Sequence, residues 1–293
     1  MRNYGPSGSV AIEPTTAAKD RSTLTTEADC SVGHVALLAA GDVWTLTLTQ
    51  PRKRNAISVA MRRELAEHLT AAAADVRCRC VVLTGAAGFF SAGGDLTESV
   101  TPGDEQQRFD LLADVVRGIV RGSPPVVAAV EGGAHGLAMS LAAACDLVVA
   151  STTARFSAAF VTRGLSVDGG ISWTLPRRAG PAAARRLLLT GQVVEGAEAQ
   201  ALGLADVLTE PGSALAAAVA AAERIAACSA TAIAGIRSLL SLDSDLDDHL
   251  EAEARTQRAV AASPEAQALL AEFRRRRATD DTAKAHDERK GRS

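Results

Sequence analysis

The feature that most constrains the fold is a repeated order of short apolar strand, helix and strand over the first two thirds of the chain. The predicted strands Cys80–Thr84, Val126–Val130 and Asp146–Ala150 are rich in valine, alanine and other apolar residues. Helical patterns over about Asp104–Gly122 and Ala138–Ala144 separate them. A helical crossover returns the chain in the same direction, so we predict an α/β protein whose strands pair mostly in parallel.

The chain is long enough for one large domain with appendages. It has 293 residues, of which 47% are hydrophobic and 22% charged. Periodicity is absent before residue 34, and from Leu215 to about Arg277 the pattern is helical throughout. We therefore predict a disordered leader over 1–33, an α/β core over 34–213, a helical region over 214–277 and a disordered basic tail over 278–293.

Charge, hydropathy and cysteine usage exclude several classes of protein. A net charge of −3 argues against general nucleic-acid binding, and no apolar run of membrane-spanning length is free of charge and glycine. The N-terminus lacks the basic-then-apolar order of a signal peptide. Five cysteines at irregular spacing form neither a disulfide framework nor a metal motif. We expect a cytoplasmic protein with reduced thiols, no membrane contact and no metal.

The catalytic options are narrowed by the scarcity of tyrosine and histidine. The chain has one tyrosine, Tyr4, within the predicted leader, and five histidines. Acid and base chemistry must therefore come mostly from carboxylates or from backbone dipoles. Two glycine-rich loops, Phe89–Asp95 and Gly132–Gly136, each follow a buried strand. Such loops either present backbone N–H groups to a ligand at close range or are ordinary tight turns.

Four segments resemble the enoyl-CoA hydratase/isomerase (crotonase) superfamily in order and spacing. They are Gln50–Ala56, Val82–Gly85 with Phe90–Leu96, Val126–Gly132 with Ala134–Gly136 and Ala144–Asp146, and Ala197–Val207. The resemblance spans roughly residues 34–275. It implies a crotonase (ClpP-like) spiral of ββα units with a C-terminal helical layer. It also implies an acyl-CoA substrate, coenzyme A only as part of that substrate, and a homotrimer or dimer of trimers built through residues 214–277.

The resemblance assigns the site residues as well. The N–H groups of Ala92 and Leu137 match the pair of donors that holds the enolate oxygen. Lys53 and Arg54 match positions that meet the nucleotide part of coenzyme A. The positions matched to substrate or coenzyme A binding are Lys53, Arg54, Ala56, Ala92, Gly93, Gly94, Asp95, Leu96, Gly136, Leu137, Ser140 and Phe160.

Two departures from the family pattern bear on the reaction. Hydratases of this superfamily hold water with two glutamates, and the matching positions here are Ser140 and Phe160. A serine has no basic group of suitable pKa, and a phenylalanine excludes water. Simple hydration of an enoyl-CoA is therefore disfavoured.

A carboxylate stands instead at Asp168, where isomerases of the superfamily carry Asp or Glu. The run from Phe156 to Arg177 most resembles the branch of 1,2-epoxyphenylacetyl-CoA isomerase and related double-bond isomerases. One carboxylate suffices to move a proton between two carbons of a thioester, so we predict an isomerase with Asp168 as the base. Asp168 is alternatively a turn residue before Ile171. Hydrolysis, decarboxylation, residual hydration and acyl-CoA binding without catalysis remain alternative functions.

Two further residues and one segment have two interpretations each. His135 lies between the glycines of the second loop and is either a packing residue or part of the site. Asp95 is interpreted as an anchor of its loop rather than as a base. Arg274–Arg277 either contact coenzyme A or form a solvated helix end.

Overall fold

The computed structural model describes residues 33–98 and 105–290, which fall within one compact unit. Its strands are β1 His34–Ala40, β2 Val43–Thr49, β3 Cys80–Gly85, β4 Val126–Val130, β5 Gly133–His135, β6 Leu147–Ser151, β7 Arg155–Ser157, β8 Val193–Glu195 and β9 Val207–Thr209. Its helices are α1 Val59–Ala74, α2 Glu105–Val120, α3 Leu137–Ala144, α4 Ile171–Ala179, α5 Pro181–Thr190, α6 Gly196–Ala201, α7 Ala214–Ala226, α8 Ala230–Leu240, α9 Leu246–Ala261 and α10 Pro264–Lys290.

The strands form two sheets. The larger has the order β1-β2-β3-β4-β6-β9, and only the β1–β2 pair is antiparallel. The smaller has the order β5-β7-β8, in which β5 and β7 are parallel and β8 is antiparallel to β7. The prediction of an α/β protein with mostly parallel pairing is confirmed.

The smaller sheet was not predicted. Gly132–Gly136 was interpreted as a glycine-rich turn, but Gly133–His135 forms β5, and no strand was predicted at β8. Strands of three residues are too short for a period of two to be recognised. The consequence for the site is that β5 connects the larger sheet to α3 and fixes where that helix begins.

A stripe of alanines explains how so few aromatic residues fill the core. Ala214, Ala218 and Ala222 of α7 are fully buried in a cluster with Val82 and Val127 of the larger sheet. Small side chains let the helix approach the sheet closely, and the branched valines fill the space between them. Since α7 packs on this sheet, the helical region after residue 214 begins as part of the core.

The two ends of the chain differ in how they relate to the predicted leader and tail. The disordered leader, 1–33, lies outside the described residues except for Gly33. The disordered tail was predicted from residue 278, but α10 continues to Lys290. Residues 278–290 contain neither glycine nor proline, so nothing in the local sequence stops the helix.

None of the described helices is by itself both long and apolar enough to cross a membrane. Helices α7 and α8 reach that length and hydropathy only together, as a pair bent by 106°.

Candidate active site

A cavity of about 750 Å³ opens beside the N-terminus of α3. It lies among the loop after β3, helix α2 and the segment that precedes α4. The residues around it are Lys53, Ala56, Arg62, Ala92, Gly93, Gly94, Asp95, Leu96, Thr97, Arg108, Phe109, Gly136, Leu137, Ala159, Phe160, Arg163, Leu165, Ser166, Val167 and Asp168. Of the predicted site residues, the structure brings all but Arg54 and Ser140 to this cavity.

Two buried polar side chains hold the first glycine-rich loop in place. Asn55 accepts a hydrogen bond from the Gln50 N–H at 2.9 Å, and its amide donates to the carbonyl oxygens of Ala86 and Phe89 at 2.9 and 2.6 Å. The Ser91 hydroxyl donates to the Asn55 carbonyl oxygen at 2.6 Å and accepts from the Gly93 N–H at 3.0 Å. These bonds fix the backbone on both sides of Ala92.

The hydrogen bonds of this loop correct the predicted pair of N–H donors. The Ala92 N–H donates to the Arg54 carbonyl oxygen at 2.8 Å and is not available to a ligand. The N–H groups of Gly94 and Leu137 have no acceptor within residues 33–98 and 105–290. Ala92 lines the cavity, but the free donor of its loop is Gly94, two residues further along.

The two loops meet at Gly93. Its φ is +101°, and a Cβ added there would lie 2.5 Å from the His135 carbonyl oxygen and 3.4 Å from the Leu137 nitrogen. No side chain fits in that space, so glycine is required. A Cβ added to the next residue, Gly94, would lie 3.9 Å from Leu137 Cδ2, so Gly94 also borders the residue that begins α3. The first turn of a helix carries partial positive charge, which adds to the attraction for an oxyanion.

Asp168 is held by its backbone. The Ser140 hydroxyl donates to the Asp168 carbonyl oxygen at 3.0 Å. The next residue, Gly169, has a φ of +63°, and a Cβ there would lie 2.7 Å from the Cβ of Ser140 and 2.9 Å from Leu137 Cδ1. Asp168 therefore sits against α3 through contacts that only a glycine at 169 permits. Ser140 does not line the cavity; it positions the backbone of Asp168 instead.

The carboxylate of Asp168 is poorly solvated and lacks a direct partner. Its Oδ1 atom is buried without a hydrogen bond in the part of the chain that the structure describes. Burial raises the pKa of Asp168 above its ordinary value, and the charges of Arg62 and Arg108 only partly offset this. A carboxylate in this state is a stronger base than one exposed to water.

Asp95, by contrast, is an anchor, as the sequence predicted. Lys53 Nζ lies 2.7 Å from its Oδ2, and Thr97 donates to its Oδ1 from both the backbone and the hydroxyl. Burial alone would raise the pKa of Asp95, but these hydrogen bonds outweigh it and the pKa is lowered. Its charge is therefore committed to the loop and to Lys53.

Arg54 and His135 lie outside the cavity. The Arg54 guanidinium stacks over the Phe89 ring at 5.5 Å, although its carbonyl holds the Ala92 N–H. His135 Nδ1 is 2.8 Å from the Ser157 hydroxyl, and burial together with nearby arginines lowers the pKa of its ring. The structure is therefore consistent with a packing role for His135 and gives Arg54 no direct place at the cavity.

Sequence reasoning missed three cations that line the cavity: Arg62, Arg108 and Arg163. Arg62 is only 5% exposed although it lies on a helix. A signal was present: Arg62 is three and seven residues before Leu65 and Leu69, so it shares the apolar face of α1. A charge on the buried face of a helix indicates a special environment.

No set of three or more His, Cys, Asp or Glu side chains in the described ranges is arranged to hold a metal ion. Cys78, Cys80 and Cys145 are buried and unpaired, and burial raises the pKa of each thiol, to about 11 for Cys78 and about 12 for Cys80. These thiols stay protonated at neutral pH and contribute packing.

The chain is similar to one known protein family and to proteins that belong to it. The family model described as "Enoyl-CoA hydratase/isomerase" matches residues 39–280. A putative enoyl-CoA hydratase of Thermus thermophilus is 40% identical over 205 residues, which cover 68% of this chain and 81% of that protein. The 1,2-epoxyphenylacetyl-CoA isomerase of Escherichia coli is 38% identical over 170 residues, which cover 55% of this chain and 64% of that protein.

The solved structures give the same result for the fold. The crystal structure of a putative enoyl-CoA hydratase from Streptomyces coelicolor superposes with a TM-score of 0.79 at 31% identity. The superposition covers 90% of this chain and 97% of that one. The predicted crotonase fold is thereby confirmed.

The cost of burying the charged Asp168 carboxylate leads to a prediction for the stability of the fold. Since the pKa of Asp168 is raised on folding, ionisation destabilises the folded state as the pH rises above the unfolded value. Asp168→Asn removes the charge and keeps the shape, so we expect its thermal midpoint at pH 7 to exceed that of the wild type by a few degrees. The difference should vanish near pH 3, where the wild-type carboxyl is protonated in both states.

The matched control is Asp110→Asn, at an exposed position of α2. We expect it to leave the midpoint at pH 7 unchanged. A midpoint for Asp168→Asn that falls below the wild type at pH 7 would show that the carboxylate stabilises the fold and is not strained.

Proposed function

The chain belongs to the enoyl-CoA hydratase/isomerase family, and we propose that within it this protein is an acyl-CoA double-bond isomerase with Asp168 as the proton carrier. The observation that supports this is the isolation of Asp168. Two acidic side chains line the cavity among the described residues, and Asp95 is engaged by Lys53 and Thr97. In the part of the chain that the structure describes, Asp168 is the one acidic residue with a buried carboxylate oxygen that has no hydrogen-bond partner.

The enolate is stabilised by backbone groups. We assign the thioester oxygen to the space in front of the Gly94 and Leu137 N–H groups, since both are free and both border the cavity. Each such donor contributes roughly 2.7–4 kcal/mol to the stability of the oxyanion. The resulting charge makes loss of a proton from C2 of the acyl chain accessible to a carboxylate.

One base then completes the shift. Asp168 takes the C2 proton of a 3-enoyl thioester, and the electron pair of that C–H bond forms the C1–C2 double bond of a dienolate whose charge lies on the thioester oxygen. When the same carboxyl returns the proton to C4, the carbonyl group reforms and a C2–C3 double bond replaces the C3–C4 double bond, so no other reactant is consumed. Phe160 is 7% exposed and Val167 lies next to Asp168; these apolar walls keep water from the enolate.

The same residues count against hydration. A hydratase must hold a water molecule between two carboxylates. The Ser140 hydroxyl here donates instead to the carbonyl oxygens of Asp168 and Gly136. Phe160 offers water no hydrogen bond. Hydratase is nevertheless the name of several relatives, so a hydrated product is one outcome that the experiment must detect.

Coenzyme A is expected at the open side of the cavity. The Lys53 side chain is 45% exposed there and carries a positive charge suited to a phosphate. Ala56 and Leu96 border the same opening and offer apolar contact. Arg54 is not expected to contact coenzyme A, because its guanidinium lies over Phe89.

The direct test uses hex-3-enoyl-CoA, whose isomerisation creates a conjugated thioester that absorbs in the ultraviolet. We expect turnover by the wild type and a loss of about 10²–10⁴-fold in kcat for Asp168→Asn, the usual contribution of a general base. The dissociation constant of saturated hexanoyl-CoA should stay within about twofold, which separates catalysis from binding.

Asp110→Asn is again the control and should keep the wild-type kcat. Unchanged isomerisation by Asp168→Asn would eliminate Asp168 as the base. A product heavier by one water would indicate a hydratase, release of free coenzyme A a hydrolase, and tight binding without any turnover a binding protein.

We also propose that the chain associates into a trimer or dimer of trimers through its C-terminal helices. Helices α8 to α10 expose large apolar side chains to solvent: Ile236, Leu240, Leu246, Leu250 and Phe273. Apolar surface of this extent is usual at a subunit interface. Light scattering should give three or six times the 30.2 kDa of one chain.

Leu246→Glu should lower that mass, because the charge cannot be buried between subunits. Val76→Glu is the matched control, since Val76 is 91% exposed after the end of α1. A wild-type mass of a single chain would contradict the proposed assembly.

A further inference from the structure

Arg62 is a buried cation without an adequate partner. It is 5% exposed, and within residues 33–98 and 105–290 its Nε atom has no hydrogen bond and its one hydrogen bond joins Nη1 to the Arg108 carbonyl oxygen at 3.5 Å. Burial and the neighbouring charge of Arg108 lower the pKa of its guanidinium. A buried charge in this state is costly unless a ligand completes its hydrogen bonds.

The acidic groups nearby do not satisfy Arg62. Glu98 accepts hydrogen bonds from the Val59 N–H at 3.0 and 3.2 Å and lies 4.0 Å from Arg108. Asp95 is bound to Lys53. Asp168 acts on Arg62 through its charge, but its buried Oδ1 makes no hydrogen bond to a described residue. Among the described residues that line the cavity, Asp168 is therefore the one carboxylate not already engaged beside Arg62 and Arg108, and it is reserved for the proposed reaction.

Arg62 lies in the buried part of the cavity, beside the loop that carries the Gly94 N–H. A Cβ added to Gly94, which carries one of the two free N–H groups, would be 3.2 Å from Arg62 Nη2. The phosphates of coenzyme A are expected near Lys53, which is 45% exposed at the opening. An anion that reaches Arg62 must therefore belong to the acyl group.

We propose that Arg62, assisted by Arg108, binds a carboxylate on the acyl chain, so that the substrates are acyl-CoA thioesters with a second acidic group. The planar guanidinium presents parallel N–H groups that match a carboxylate. A neutral acyl chain of equal length leaves Arg62 buried and unpaired. The enoyl part of this substrate rests on the proposed isomerase function, whereas the recognition of the carboxylate does not.

The test compares two saturated ligands, adipoyl-CoA and hexanoyl-CoA, which have six acyl carbons and differ in one terminal carboxylate. Neither has a double bond to move, so calorimetry measures binding without turnover. We expect adipoyl-CoA to bind the wild type about ten- to a hundredfold more tightly, the range for hydrogen bonds to a charged group. Equal affinities in the wild type would overturn the proposal without any variant.

Arg62→Met keeps the apolar stem and removes the guanidinium. It should abolish the preference for adipoyl-CoA while hexanoyl-CoA binds as before, which also shows that the variant is folded. Arg63→Met removes the adjacent exposed arginine and should keep the full preference. A preference that survives in Arg62→Met would overturn the proposal.

If Arg62→Met does not bind hexanoyl-CoA, Arg62→Lys decides. Lysine retains the charge but lacks the parallel N–H groups of the guanidinium, so this variant should show an intermediate preference for adipoyl-CoA. An unchanged preference would contradict a role for the guanidinium. Kinetics with hex-3-enedioyl-CoA and hex-3-enoyl-CoA separate the two proposals. Equal KM values for the two substrates with full isomerisation would contradict the recognition of the carboxylate but leave the isomerase function intact. Selective binding without isomerisation would contradict the isomerase function but leave the recognition of the carboxylate intact.

Discussion

The close contact between the two glycine-rich loops is the constraint on which the rest of the site depends. At Gly93 the first loop approaches the His135 carbonyl oxygen so closely that a methyl group would lie 2.5 Å from it. This contact sets Gly94, whose N–H is one of the two proposed donors, beside Leu137, which begins α3. The hydrogen bonds of Asn55 and Ser91 hold the loop there before any ligand binds. Preorganised donors of this kind cost no rearrangement during the reaction.

In the proposed reaction, helix α3 serves both the oxyanion and the base. Its first residue, Leu137, offers a free N–H group, and Ser140, one turn later, holds the backbone of Asp168. The position that the resemblance matches to a hydratase glutamate thus supports the segment that carries the proposed base. Burial raises the pKa of this carboxyl group, and the charges of Arg62 and Arg108 partly offset that effect.

Much of this could be predicted from the sequence, because strands and loops are specified by local patterns. Strands β3, β4 and β6 and helices α2 and α3 follow from apolar patterns, and the resemblance to the family indicated Asp168, which lines the cavity. The donor at Ala92 was wrong because a motif locates a loop but does not show which N–H is used internally; that depends on Arg54, which is distant in sequence. Similarly, β5 and β8 are too short to recognise, and the partners of Arg62 depend on how α1 and α2 pack.

The most direct measurement of the central claim, that one shielded carboxylate moves the proton, is isotopic. Hex-3-enoyl-CoA with deuterium at C2 is converted in ordinary water, and the product is analysed by mass spectrometry and NMR for deuterium at C4. We expect part of the product to retain deuterium at C4, because Asp168 returns it before water exchanges with the carboxyl group. A product whose C4 carries only hydrogen from water would contradict it.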